Sequence, residues 1–87
     1  MDKPWYLYLL RCSDDTLYTG ITTNLNERVK THSAGKGAKY TRGRLPVKLV
    51  YSEKLNNESE ARKRELEIKS LTRKEKEELF FHALQTA

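Results

Sequence analysis

The sequence predicts a small α/β (α+β) domain, a three-stranded antiparallel sheet flanked by helices in the order β-β-α-β-α-α. Three observations predict it. Two extended segments rich in aromatic and large aliphatic residues are separated by a turn signal. A third extended segment follows a glycine-rich connection. Cap signals at Asn24, Asn57 and Thr72 each open a stretch with helical spacing. The 87 residues suit one domain over 1–87, with no repeat and no linker long enough to divide it.

Residues 5–11 read as the first strand, with Tyr6, Tyr8 and Leu10 on one face. Ser13-Asp14-Asp15 is a turn signal, and Thr16 to Ile21 reads as the second strand of a hairpin. In it Thr16, Tyr18 and Gly20 share a face. Tyr8 and Tyr18 fall together if the loop has an odd number of residues; an even loop separates them unless a bulge intervenes. Val47 to Ser52 reads as the third strand, with Val47, Leu49 and Tyr51 on one face.

Asn24 caps a helix running to about His32, on which Leu25, Arg28, Val29 and His32 share a face. The apolar Leu25 and Val29 carry Arg28 and His32 toward the body of the protein. Residues 33–46 form a long connection in which a short helical turn has room but no strong signal. Asn57 with Glu60 caps a helix through about Lys69, whose most apolar stripe is Ala61, Glu65 and Ile68. Thr72 with Glu75 opens the last helix, which turns Phe80, Ala83 and Leu84 to the core.

The composition excludes several classes. No apolar run approaches the ~20 residues that span a bilayer. The N-terminal apolar run stops at Arg11, too soon for a signal peptide. A lone Cys12 rules out an internal disulfide framework and a cysteine-only zinc site, so a soluble, cytoplasmic protein is expected. The net charge of +5 is concentrated between Thr22 and Arg44, where six bases face one acid, Glu27. The rest of the chain is balanced. Such a patch suits a polyanion, and it equally suits a solvated basic surface.

Glu65 is the most informative position, because a carboxylate on an apolar helical stripe must be paired, protonated or bound to a cation. An ion pair with Arg28 or another base is one answer. A metal ion is the other, since Mg²⁺ is commonly held by one carboxylate with phosphate and waters. Arg28 either pairs with a carboxylate or clamps a phosphate. Tyr6, Tyr8 and Tyr18 are ordinary strand residues taken singly, but a phenol beside cations can relay a proton. His32, one turn after Arg28, is a helix-end residue or a general base. His82 has no partner pattern. Phosphate-binding loops, HExxH, zinc spacings and a serine nucleophile elbow are all absent.

Together these residues resemble the GIY-YIG nuclease superfamily, in its small stand-alone bacterial branch (UPF0213-like). Tyr6-Leu7-Tyr8 matches the first motif half and Tyr18-Thr19-Gly20 the second, followed by Arg28 and Glu65 at the family's positions for a catalytic arginine and a metal-binding glutamate. The run from Gly35 to Arg44 looks like the branch's basic loop, and the resemblance extends from Tyr6 to about Leu71. It implies metal-dependent hydrolysis of DNA phosphodiesters, of branched or single-stranded form, with Mg²⁺ or Mn²⁺ on Glu65. Arg28 would stabilise charge on phosphorus. Tyr8 or Tyr18, relayed by Tyr6 or His32, would deprotonate the attacking water. Lys36, Lys39, Tyr40, Arg42 and Arg44 would bind the nucleic acid, with Tyr40 stacking on an unpaired base. Two positions depart from the family pattern: Tyr6 replaces the opening glycine, and Ile21 stands where the repair nucleases often have lysine. The separate recognition domain usual in the family has no room here, so a protein partner would supply specificity. A catalytically weak or inactive nucleic-acid-binding module on the same scaffold is the alternative.

Overall fold

The two N-terminal segments pair as expected. In the computed structural model, which describes residues 3–85 and side chains through Phe81, β1 spans Trp5–Arg11 and β2 spans Leu17–Thr22. Helix α1 (Leu25–Ser33) follows, then a single helical turn α2 (Lys39–Arg42), strand β3 (Lys48–Leu55), and helices α3 (Glu58–Lys69) and α4 (Arg73–Gln85). Both β2 and β3 pair antiparallel with β1, giving the sheet order β2-β1-β3. The 33–46 connection therefore holds a helix, and the full order is β-β-α-α-β-α-α.

The helix starts follow the caps. Asn24 Oδ1 accepts from Glu27 N–H at 3.2 Å, and Asn57 Oδ1 accepts from Glu60 N–H at 2.9 Å. At α4 the box is reciprocal: Glu75 N–H donates to Thr72 Oγ1 at 3.2 Å and Thr72 N–H to Glu75 Oε1 at 3.0 Å.

The hairpin register pairs Tyr8 with Gly20 and Leu10 with Tyr18. Opposed residues share a face, so Tyr8 and Tyr18 lie on the same side of the sheet. The connection from Cys12 to Thr16 is odd in number, the parity that this requires. Along β3 the register shifts: Leu9 opposes Tyr51 while Leu10 opposes Leu49, leaving Val50 as the extra residue of a bulge. The bulge puts Leu49 and Tyr51 on opposite faces, and Val47 precedes the strand. The expected common face of Val47, Leu49 and Tyr51 is thereby corrected.

The two faces of the sheet differ. On one, Leu7 and Leu9 pack with Ile68 of α3 and Phe80 of α4, flanked by Leu17, Ile21, Val50, Tyr51 and Leu55. This is the hydrophobic core. Ala83 and Leu84, expected beside Phe80, lie outside the described side chains. On the other face, Tyr8 and the buried His32 and Thr41 form a polar cluster with Tyr18. The hairpin turn is tied to the basic loop, because Ser13 N–H donates to the Arg44 carbonyl at 2.8 Å. Among the described residues no helix is long and apolar enough to cross a membrane.

Candidate active site

Strands β1 and β2 bring Tyr8 and Tyr18 to one face, with ring centroids 6.4 Å apart. Gly20 makes room for the first of them. A Cβ on Gly20 would lie 2.5 Å from Tyr8 Cζ, so the Tyr8 ring occupies the space a side chain would take. Helix α1 delivers Arg28 and His32 to the same hydroxyl, as their spacing on one helical face predicts. Arg28 Nε–H donates to Tyr8 Oη at 3.3 Å, and Tyr8 Oη lies 3.0 Å from His32 Nε2. His32 Nδ1 in turn lies 2.9 Å from Thr41 Oγ1, which is 2.9 Å from the Ala38 carbonyl.

The ends of this chain have fixed polarity. A guanidinium can only donate and a carbonyl can only accept. A direction that satisfies every member runs from Arg28 through Tyr8, His32 and Thr41 to Ala38. The Tyr8 hydroxyl then donates to a neutral imidazole whose proton is on Nδ1. Burial holds the His32 pKa below its ordinary value, and the nearby Arg28 charge pushes it the same way. Burial also pushes the Tyr8 phenol up. The Arg28 hydrogen bond and charge oppose this, the Tyr18 and Glu65 charges add to it, and the net shift is upward. Arg28 alone thus leaves Tyr8 a phenol.

Glu65 is carried by a different element. Its helix α3 packs on the Leu7/Leu9 face and against β2. Its stripe is as expected, with Ala61 and Ile68 buried and Glu65 half-buried. Its carboxylate pairs with Lys69 Nζ at 3.4 Å, and its charge is felt at Tyr8. Arg28 forms no ion pair among the described residues, so of the expected ion pairs it is the one with another base, Lys69, that Glu65 makes. Among the described residues no group of three or more His, Cys, Asp or Glu could hold a metal. A cation needing several protein ligands would not fit. One that keeps most of its shell as water and phosphate, as Mg²⁺ does, fits a lone carboxylate.

The remaining expected residues divide. Tyr6 lies beside Thr23, Asn24 and Leu25 at the start of α1, and among the described residues its side chain makes no hydrogen bond to the Tyr8 group. Tyr40 already has two ring partners: Tyr18, stacked at 5.9 Å, and the Arg44 guanidinium, 4.0 Å from its centroid. Arg44 also donates to Asp14 Oδ2 at 2.9 Å and to the Tyr40 carbonyl at 2.7 Å. Arg42 donates to the Gly37 carbonyl at 3.1 Å. Both arginines therefore fasten the loop. Lys36 and Lys39 are exposed, with no ion pair among the described residues. Ile21 packs against the core, so it leaves no gap in the polar cluster.

Thr41 and Gly37 were not legible as site residues. A Cβ on Gly37 would lie 2.8 Å from His32 Cγ, so the loop backbone seats directly on the imidazole. Glycine within a basic loop reads only as a turn, and Thr41 sits nine residues beyond His32 with no periodicity linking them.

Comparison with known proteins fits this geometry. Residues 4–78 match the family model described as the GIY-YIG catalytic domain. A UPF0213 protein of Natronomonas pharaonis is 60% identical over 85% of this chain and 87% of its own. One from Streptococcus agalactiae is 58% identical over 84% of this chain and 83% of its own. The solution structure of a UPF0213 protein from Bacillus halodurans is 47% identical, with a TM-score of 0.57, covering 87% of this chain and 81% of that one. A solution structure of an E. faecalis protein gives a TM-score of 0.64 at 40% identity, covering 99% of this chain and 91% of that one.

Proposed function

Since the chain belongs to the GIY-YIG catalytic-domain family, we propose that it is a divalent-metal-dependent endonuclease acting on DNA, in single-stranded or branched form. The observation that carries the reading is the hydrogen-bonded chain from Arg28 through Tyr8 to His32. A strand core has no need of a buried phenol between a guanidinium and an imidazole. Water attacks phosphorus and gives a proton to Tyr8 Oη, while Tyr8 passes its own to His32 Nε2. The P–O bond to the leaving oxygen breaks, and that oxygen takes its proton from solvent. Arg28 stabilises the charge gathering on the phosphoryl oxygens, and removing such a donor costs roughly 10²–10³ in rate. Tyr18 lines the same face and positions the phosphate. Glu65 would hold Mg²⁺ or Mn²⁺, which when bound neutralises the scissile phosphate and leaving group.

The test is cleavage of labelled single-stranded, duplex and branched DNA with and without Mg²⁺, beside Glu65→Ala. Cleavage by the wild type alone, lost on chelation, is the expected result. Equal cleavage by the variant removes Glu65 from the metal site. Binding without cleavage by either protein, with every substrate and metal, replaces the enzyme with a nucleic-acid-binding module.

The acidic side of the pH–rate profile follows from His32. It accepts a proton only when neutral, and its pKa lies below the usual ~6.5. Cleavage should rise as pH climbs through that lowered pKa and reach its plateau before neutrality. Stability carries the same sign. Between the lowered pKa and ~6.5 the unfolded chain binds more protons than the folded one, so the protein gains stability as pH rises through that window. An acidic limb centred above ~6.5 would exclude His32 as the acceptor.

The loop cations should separate into two kinds. Lys36→Ala and Lys39→Ala should each flatten the salt dependence of DNA binding by about 0.7–0.9 in log–log slope, leaving the melting temperature unchanged. Arg44→Ala should lower the melting temperature, because it detaches the loop from Asp14 and removes its internal bond to the Tyr40 carbonyl. Calorimetry and salt-titrated binding isotherms on the three variants check the division.

A further inference from the structure

We propose that Thr41 is a positioning residue whose hydroxyl holds His32 in the Nδ1–H tautomer, leaving Nε2 free to receive the Tyr8 proton. The proposal deepens the nuclease reading, but the tautomer itself is independent of any activity. Thr41 and His32 are both fully buried, so water cannot substitute for either partner. Thr41 Oγ1 stands 2.9 Å from the Ala38 carbonyl and 2.9 Å from His32 Nδ1. A hydroxyl has one proton, and the carbonyl can only accept. With that proton directed to Ala38, the oxygen must accept from Nδ1–H.

The other tautomer would require the Thr41 hydroxyl to turn its proton from the Ala38 carbonyl to Nδ1. It would also turn Nε2–H on a Tyr8 oxygen that already accepts from Arg28 at 3.3 Å. Tyr8 would then have no proton acceptor in the chain. The backbone at Gly37, close enough that a Cβ would sit 2.8 Å from His32 Cγ, blocks the ring from tilting away. Thr41 lies in α2 between Lys39 and Arg42, so the segment that carries the loop's cations also sets the state of the imidazole.

The experiment is ¹⁵N NMR of the histidine ring nitrogens in the full chain at neutral pH, without DNA. The sequence has two histidines, so His82→Gln assigns the signals. Wild type should show His32 protonated on Nδ1 and unprotonated on Nε2. Thr41→Ser keeps the hydroxyl and should keep that pattern, with cleavage within about tenfold of wild type. Thr41→Val keeps the shape without the acceptor. It should shift His32 toward the Nε2–H form and lower cleavage by about 10²-fold or more, as wrong-tautomer histidines do elsewhere. An Nε2–H tautomer in the wild type, or a Thr41→Val spectrum identical to wild type, overturns the proposal. If Thr41→Val fails to fold, the wild-type and Thr41→Ser spectra decide it. If no DNA is cut by any protein the nuclease reading fails, and the spectra still decide the role of Thr41.

Discussion

Tyr8→Phe is expected to lower cleavage by roughly 10²–10⁴, the range for losing a positioned acid–base group. The ring remains against Gly20 and the strand pairing is untouched. What disappears is the oxygen that joins Arg28 to His32. Two partners are left without their hydrogen bond, one of them the buried Nε2, so the domain should also lose about 1–3 kcal/mol. For a domain of this size each kcal/mol lowers the melting temperature by about 4–8 °C. Single-turnover cleavage and a thermal melt on one preparation separate the effects. Tyr18→Phe is the control: it keeps the Arg28–Tyr8–His32 connection and should fall less. If Tyr8→Phe cuts like wild type, the proton leaves water by another route, and Tyr18 becomes the candidate base.

The second large effect belongs to a glycine. Gly20→Ala would place a methyl 2.5 Å from Tyr8 Cζ, against a residue only 1% exposed. Overpacking of this kind costs about 1–3 kcal/mol. The Tyr8 hydroxyl must move with its ring, and a displacement of about 1 Å at a reacting group can cost 10²-fold in rate. Gly20→Ala should therefore weaken the fold and the chemistry together. Gly43→Ala is the matched control, because nothing lies within 4 Å of its Cβ position. Urea denaturation and cleavage rates on the pair test this. A Gly20→Ala protein with wild-type stability and rate would mean that the Tyr8 ring does not fill that space.

Much of this arrangement could be read before any coordinates, and the exceptions have physical reasons. Strand β1 is found at Trp5–Arg11, as expected, because its aromatic and aliphatic run is bounded by turn residues. The three helix starts are where the caps place them. Arg28 and His32 meet one hydroxyl because helical spacing is rigid enough to project from sequence. The shared face of Tyr8 and Tyr18 depended on loop parity, which a turn signal does not fix. The bulge at Val50 inverted one face of β3, and no periodicity announces an inserted residue. The largest omission is the inner side of the basic loop. Its glycines and cations suggest a solvated segment reaching for phosphate. Instead Arg42 and Arg44 turn back onto the protein, and Thr41 and Gly37 close over the imidazole. Those are tertiary contacts between segments whose separation carries no repeating pattern.

The division of the sheet into an oily side and a polar side has a practical consequence for engineering. Substitutions around Ile68 and Phe80 act on the oily layer without touching Tyr8, Arg28 or His32, which lie across the sheet. Glu65 is the exception, since it rides on the helix that supplies Ile68. Any redesign that slides α3 to tighten the oily layer will also move the carboxylate, so thermal hardiness and the proposed metal affinity would have to be optimised jointly.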